Sequence, residues 1–512
     1  MSLFPQNFAS TVSHWQASVS SVVSYLSGTS FVSARRAHEQ NRGPSSLYGH
    51  NATEPLPSHA DYIIIGAGIC GASLAYHLTR ADAVGHGRRV VVLEAKDVAS
   101  GASGRNGGHI GPASFLSFPS LIRPISQGGA GVSLEEGVKI LENERETLAY
   151  AAEVITQEGL VDKVDFWKGY KYEVFTSPEG AQSSSSAYET YLQARYQSSL
   201  KEEPYEWALC TDPLEAAQKT RVSNAIAYNR GPAGSVHPHK LTTELLKIAM
   251  RSGAELYSWA PVKNLSRFGE GWEVETSRGM IKAGVVVLCT NAYTGGLFPE
   301  SERGMGISAH LTPYRGHCAN YTPPLSYSGP KSLDHSYVVE NGMYIVSTPH
   351  SGIVAGTWAA ATINHGLATR DEIYGILDDS TVLPSVEKWM KGWFERTFEG
   401  WNENGRGEGM GRLWTGIMAY SYDLLPLVGP IPNKPNLFAA VGFHGHGMAR
   451  ILTITRGLSQ LLSTGKWDER LPTSFQITEM RLSRAKEEGK EVMGGEKWEI
   501  VRPVEEPGVG GE

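Results

Sequence analysis

Residues 61–80 read DYIIIGAGICGASLAYHLTR, and 89–94 read RVVVLE. Tyr62 to Ile65 is a short run of apolar, mostly β-branched residues, the pattern of a strand buried on both faces. A helical pattern follows over 71–80, and Arg89 to Glu94 reads as a second buried strand. Together they predict a βαβ unit. At the first turn, Gly66, Gly68 and Gly71 form G-x-G-x-x-G. With 57 glycines in 512 residues, about 0.7 such motifs arise by chance, so the motif gains its meaning from strand and helix. Gly66 allows the tight turn, Gly68 lets backbone approach a pyrophosphate, and Gly71 lets helix and strand pack closely. The helix N-terminus adds free N–H groups and the positive end of a dipole. Glu94 ends the second strand 23 residues after Gly71, where an acid accepts the ribose hydroxyls of adenosine. An acid there disfavours a 2′-phosphate, which leaves NAD or FAD.

The next stretch separates these two. Residues 99–109, ASGASGRNGGH, do not continue as the helix of a simple NAD fold. Small residues let backbone wrap a long planar ligand, and Ser103, Arg105 and Asn106 can hydrogen-bond phosphate or ring heteroatoms. FAD is the expected cofactor.

Outward from this unit, 512 residues suggest two to four domains. Forty-six Lys+Arg against 53 Asp+Glu give a net charge of −7, a poor match to nucleic acid. No window approaches 18 apolar residues, so no membrane span is expected. Four cysteines without C-x-x-C spacing suggest neither a disulfide scaffold nor a zinc site. A cytoplasmic enzyme without metal is expected. Residues 134–158 predict a long amphipathic helix. Residues 166–175 and 336–357 alternate as strands of a mixed sheet, 181–200 suggest a loop then a helix, and 240–252 and 446–463 suggest helices.

Four blocks in order resemble the FAD-dependent D-amino-acid oxidase superfamily, the glycine oxidase/sarcosine oxidase group: 61–78, 90–109, 234–257, and the pair 412–430 with 436–448 (NLFAAVGFHGHGM). The RNGG form of 105–108 is most similar to the γ-glutamylputrescine oxidoreductase branch. The resemblance spans about 60–465. It implies an α/β fold, a Rossmann-type FAD-binding domain with an inserted mixed-sheet α+β substrate domain. The expected division is an extension at 1–58, FAD-binding parts at 59–165, 226–310 and 406–475, substrate parts at 166–225 and 311–405, and a tail at 476–512. It also implies that Gly107, Gly108 and His109 adjoin the flavin, that Val262 meets adenine through its backbone, and that Gly445, His446, Gly447 and Met448 open the last helix toward the ring. His317, His350 and His444 are further flavin neighbours to test.

The implied reaction oxidises a small amine or amino-acid derivative by hydride transfer to flavin N5, with oxygen or another acceptor taking the electrons; an alcohol or sugar derivative is the alternative. No catalytic base is assigned. Relatives carry an arginine for the substrate carboxylate on a strand reading roughly YLVPR. The matching stretch here, from Tyr344, places Thr348 at that position. A neutral Thr gives no bidentate pairing, which points away from a simple α-amino acid. Arg315 is the alternative anchor. Trp414 and Tyr422 are candidate pocket walls, and Cys318 and His109 are candidate tethers for FAD.

Overall fold

The computed structural model describes residues 45–201, 205–299, 306–350, 352–484 and 487. Most of the expected extension and tail lies outside these residues.

Two sheets organise the chain. The first is built on β1 (His59–Ile65), β2 (Val90–Leu93), β7 (Glu255–Tyr257), β8 (Val262–Phe268), β9 (Gly271–Thr276), β10 (Gly279–Leu288), β16 (Leu427–Pro430) and β17 (Leu437–Val441). Its order is β16-β17-β10-β1-β2-β7, with β9 antiparallel to β10 and β8 antiparallel to β9. β17, β10, β1, β2 and β7 are parallel, and Ile63 is paired on one side with Val91 and on the other with Val286.

The apolar run of β1 follows from burial on both faces. Ile64, Val90 and Val92 face the helices α1 (Ile69–Leu78), α4 (Pro238–Arg251) and α5 (Ile451–Thr464), where Leu74, Leu245 and Leu458 complete the core. Ile63, Ile65, Val91 and Leu93 face the other way, onto Trp272, Val274 and Leu297. This layering of helices and a mostly parallel sheet is the Rossmann-type architecture that the βαβ reading anticipates.

The second sheet contains β3 (His109–Ile110), β4 (Trp167–Phe175), β5 (Ala208–Cys210), β6 (Ala227–Ser235), β11 (Leu311–Thr322), β12 (Ser336–Val339), β13 (Met343–Thr348), β14 (Gly352–Thr357) and β15 (Gly409–Ser421). Its order is β15-β11-β14-β13-β12-β4-β6-β3, with β5 on β6. The β12–β4 pair is parallel and the others antiparallel. β3, β6 and β15 belong here although they fall within 59–165, 226–310 and 406–475. Long ladders to β4 and β11 draw β6 and β15 across.

Register divides this sheet into two faces. Tyr337, Ile345, Ala355 and Ala319 stand opposite one another and pack on Phe394, Phe398 and Trp401. The neighbouring row, with the reverse orientation, is Glu173, Val338, Tyr344, Gly356, Cys318 and Trp414. This row faces the 99–109 loop.

Helix α2 (Leu134–Gln157) begins at Ser133, whose side chain accepts from the Glu136 N–H. Helix α3 (Pro178–Gln197) corrects the expected loop at 183–186. Ser177 caps it, Pro178 occupies its first turn, and Ala187, Tyr191 and Ala194 bury one face. Cap and packing outweigh the modest helix propensity of serine. No helix among the described residues is long and apolar enough to cross a membrane.

Candidate active site

A cavity of about 240 Å³ opens at the C-terminal ends of β1, β2 and β10. Its lining includes Gly66, Gly68, Glu94, Ser103, Asn106, Val262, Gly445, Gly447 and Met448 from the sequence reading. Lys96, Asn291, Asp379 and Met418 line it as well. Lys96 and Asp379 lie in loops, Asn291 opens a short 3-10 turn after β10, and Met418 lies on β15 within the 412–430 block.

The floor admits only glycine. A Cβ on Gly66 would lie 2.8 Å from the Cys289 carbonyl oxygen, and one on Gly68 would lie 2.8 Å from Ser103 Oγ. Gly66 also has φ +105°, which side-chain-bearing residues avoid. Gly71 does not line the cavity. Its missing Cβ lets α1 close over the Gly66 carbonyl, the packing role expected of the third glycine. Gly68 is the N-cap of α1, and the first turn carries no acid. The floor thus has open backbone and a positive dipole end, as an anionic pyrophosphate requires.

Glu94 sits at one end. Its Oε2 accepts from the Ala67 N–H at 2.7 Å and its Oε1 from the Lys96 N–H at 2.9 Å. Each oxygen retains a lone pair. Burial pushes this carboxyl upward, while the two backbone donors oppose the shift. Lys96 lies beside it, and burial lowers its ammonium to about 8.

The 99–109 loop is fixed from within. Ser103 Oγ accepts from Ile69 N at 2.8 Å, which ties the loop to the N-terminus of α1. Asn106 Nδ2 donates to the carbonyls of Ala102 and Ser103, and its Oδ1 accepts from the Gly108 N–H. Arg105, expected to meet phosphate, turns away from the cavity. Its Nε donates to the Ser100 carbonyl and its Nη1 to the Thr415 carbonyl, and its Nη2 lies 3.4 Å from Asp379. A buried guanidinium needs such partners, and here they join the loop to the second sheet.

Gly107, Gly108 and His109 lie beyond the cavity. A Cβ on Gly107 would press on Val346 and Tyr344, and one on Gly108 would overlap the Val236 carbonyl. His109 Nε2 meets Ser336 Oγ at 2.9 Å. Burial first, then Lys171 and His446, hold its imidazole well below the usual range. Val262 touches the cavity at the start of β8. His446 stands between two cavity-lining glycines, but its Nε2 turns outward to Glu144 Oε2 at 2.8 Å. Glu144 also accepts from Arg450 Nε at 2.7 Å and from the Ala113 N–H. These donors hold its carboxyl down at about 2 against the cost of burial. Glu144 was not marked by any motif, but it is an acid on the buried stripe of α2, with Ile140, Leu141, Leu148 and Ala151.

The other candidates are dispersed. Tyr344 Oη meets Cys318 Sγ at 2.8 Å, and burial pushes the thiol up to about 11. Trp358 packs edge-on against Tyr344. Trp414 Nε1 donates to the Arg105 carbonyl. Thr348, at the end of β13, bonds the Gly352 carbonyl at 3.4 Å. Arg315 projects from the face opposite to Cys318 and Trp414, with Nη2 3.3 Å from the Asp378 carbonyl. His317 is buried and meets the Leu383 N–H, His350 is exposed, and Tyr422 stacks edge-on with His310. Half-buried His444 lies against Tyr420.

A model described as "DAO: FAD dependent oxidoreductase" matches residues 61–461. The chain belongs to this family of FAD-dependent oxidoreductases. It is an enzyme of the amine/amino-acid oxidase type, and FAD is its cofactor. The chain is 22% identical over 440 residues to a glycine oxidase of Geobacillus kaustophilus, spanning 83% of this chain and 97% of that protein. It is 24% identical over 449 residues to a mitochondrial dimethylglycine dehydrogenase of Rattus norvegicus, spanning 83% of this chain and 46% of that one. The crystal structure of the G. kaustophilus glycine oxidase superposes with a TM-score of 0.63 at 21% identity, over 83% of this chain and 99% of the other.

For this member of the family, the open glycine floor, Glu94, and the Ser103 and Asn106 loop fit a flavin dinucleotide.

Proposed function

We propose that the enzyme oxidises the carbon–nitrogen bond of a small amine that is not held by an α-carboxylate. Bound FAD would accept a hydride from the carbon beside the nitrogen. The observation that carries this reading is the pairing of the cations. Lys171 is 3.0 Å from Glu173, Arg105 is 3.4 Å from Asp379, and Arg450 is 2.7 Å from Glu144. Each already has its carboxylate, and residue 348 is Thr. In their place the face toward the loop presents Tyr314, Tyr344 and Tyr420, with Trp358 beside Tyr344. Aromatic faces attract an alkylated ammonium. Tyr314 borders the cavity, since its hydroxyl lies 3.4 Å from Met418 Sδ. We assign Gly66, Gly68, Glu94, Ser103, Asn106, Val262, Gly445, Gly447 and Met448 to FAD, and Tyr344 and Trp414 to the substrate side. The described cysteines are free thiols, which supports a reducing, cytoplasmic setting.

The test is anaerobic bleaching of the flavin by a panel of glycine, sarcosine, D-alanine, N-methylbenzylamine, a monoacylated diamine and a polyol. An N-alkylated or acylated amine is expected to bleach it. Rapid bleaching by glycine, sarcosine or D-alanine overturns the reading, and bleaching by the polyol alone replaces amine with alcohol.

A further inference from the structure

We propose that Cys70 and Cys289 form an oxidisable dithiol on the wall of the dinucleotide cavity, which hydrogen peroxide closes to a disulfide when no FAD covers it, and that the closed form takes up FAD poorly.

The fold brings these two thiols together across 219 positions. β1 and β10 run side by side with Ile65 opposite Leu288, so Cys289 falls beside the Gly66 turn. Cys70 returns to the same place in the first turn of α1. Their Sγ atoms are 3.5 Å apart. Both residues are buried, and both line the cavity. A dinucleotide on the glycine floor therefore covers the pair, and a small oxidant reaches it when the dinucleotide is gone. The other two cysteines lie elsewhere. Cys318 meets the Tyr344 hydroxyl, and Cys210 meets the Asp212 carbonyl.

Two cysteines that merely fill a core can touch without reacting. This pair differs in its place on a cavity wall and in its polarity. Cys70 Sγ donates toward Cys289 Sγ and toward the Ala440 carbonyl, each at 3.5 Å. The bond to Cys289, and then burial, push the Cys70 thiol well up, so Cys70 keeps its hydrogen. The Cys289 sulfur presents its lone pairs and acts as the nucleophile.

The oxidation balances with one peroxide. Cys289 Sγ attacks a peroxide oxygen, the O–O bond breaks, and the departing hydroxide takes the Cys289 proton as water. The product at Cys289 is a sulfenic acid. Cys70 Sγ then attacks that sulfur, the S–S bond forms, the S–O bond breaks, and a second water leaves with the Cys70 proton. The two thiols lose two electrons, and the peroxide gains them.

Closure has a mechanical cost at the floor. A disulfide holds its sulfurs about 2.05 Å apart, so the pair must approach by about 1.5 Å. The Gly66 turn has no slack to give. A Cβ on Gly66 would lie 2.8 Å from the Cys289 carbonyl oxygen, and one on Gly71 would lie 1.9 Å from the Gly66 carbonyl oxygen. The movement falls on the first turn of α1, the helix end that faces the pyrophosphate. It also falls on the bond from Ile69 N to Ser103 Oγ, which ties the flavin loop to that turn.

The experiment uses the full-length protein, one sample as holoenzyme and one stripped of FAD with bromide and shown to take FAD up again. Each is exposed to hydrogen peroxide, denatured and alkylated, and its free thiols are counted. The stripped sample should lose two of its four thiols. A non-reducing peptide map should join the Cys70 peptide to the Cys289 peptide. Its FAD affinity should fall about tenfold or more as the helix end leaves the pyrophosphate, and dithiothreitol should restore it. The holoenzyme should keep all its thiols. Cys70→Ala and Cys289→Ala should each show the same FAD affinity before and after peroxide, and where one variant does not fold the other decides. Retention of every thiol in the stripped sample, a bridge between other cysteines, or equal loss in the holoenzyme overturns the proposal. So does a bridge between Cys70 and Cys289 that leaves FAD affinity unchanged, or a peroxide effect that persists in the alanine variants.

Discussion

Trp414 Nε1 donates a 2.7 Å hydrogen bond to the carbonyl of Arg105. One residue lies on β15 of the second sheet and the other in the loop that follows β2, 309 positions apart in sequence. The bond fastens the flavin loop to the face that presents Tyr344 and Cys318. Cofactor and substrate positions are thereby set by one shared element, and the consequences can be measured.

Gly68→Val is expected to yield folded protein without flavin colour, because the new side chain enters the floor beside Ser103 Oγ. Gly71→Ala acts differently. It forces α1 off the Gly66 carbonyl and should cost about 1–3 kcal/mol as an overpacked contact. Absorbance at the flavin band and the melting temperature separate the two effects. Full flavin content in Gly68→Val contradicts the assignment of the floor.

Glu94→Ala removes the acceptor of two backbone N–H groups and the proposed partner of the ribose. FAD affinity should fall by roughly 1.5–3 kcal/mol per lost charge-assisted bond. Fluorescence titration of the apoprotein with FAD measures it. Unchanged affinity in a folded variant refutes the ribose contact.

Thr348→Arg places a guanidinium on the face shared by Tyr344 and Val346. It should confer bleaching by glycine or D-alanine at least tenfold faster than wild type, since the fork pairs both carboxylate oxygens. A rate equal to wild type shows that residue 348 does not reach the substrate.

Acid should destabilise the fold early. Burial lowers His77 to about 3, and His237 and His317 to about 4, from 6.5 in the unfolded chain. Below 6.5 the unfolded chain binds more protons, so stability is fully present above that pH and is lost as pH falls toward the folded values. His237 and His317 each contribute on the order of 3 kcal/mol across this window. Urea midpoints measured from pH 7.5 to 4.5 should drop steeply below 6.5. A flat profile down to pH 5 contradicts the burial of these rings.

What the sequence made legible was local. The β1 turn, α1 and β2 are read correctly because their period, glycines and closing acid lie within 34 residues. The role of Arg105 was not readable, because its partner Asp379 is 274 positions away and no local pattern couples them. The helix at 178–197 was hidden by four serines, although Ser177, Pro178 and Glu179 carry an N-terminal signature. Glu144 had a signal of its own, an acid on an apolar stripe, but its meaning required His446 and Arg450 to arrive from 302 and 306 positions downstream.

The strand order of the first sheet has a consequence for biosynthesis. β1 begins at residue 59, yet its neighbour on one side is β10 at 279–288, which in turn borders β17 at 437–441. A chain emerging from its N-terminus can form the βαβ turn at once. It exposes one bare edge of β1 until more than two hundred further residues have followed. The sheet beneath the cofactor is closed only once β17, at 437–441, has followed. Pairings of such long range are slow to find and leave an apolar edge open to association. The window in which this enzyme most needs protection from aggregation therefore coincides with the synthesis of its second sheet.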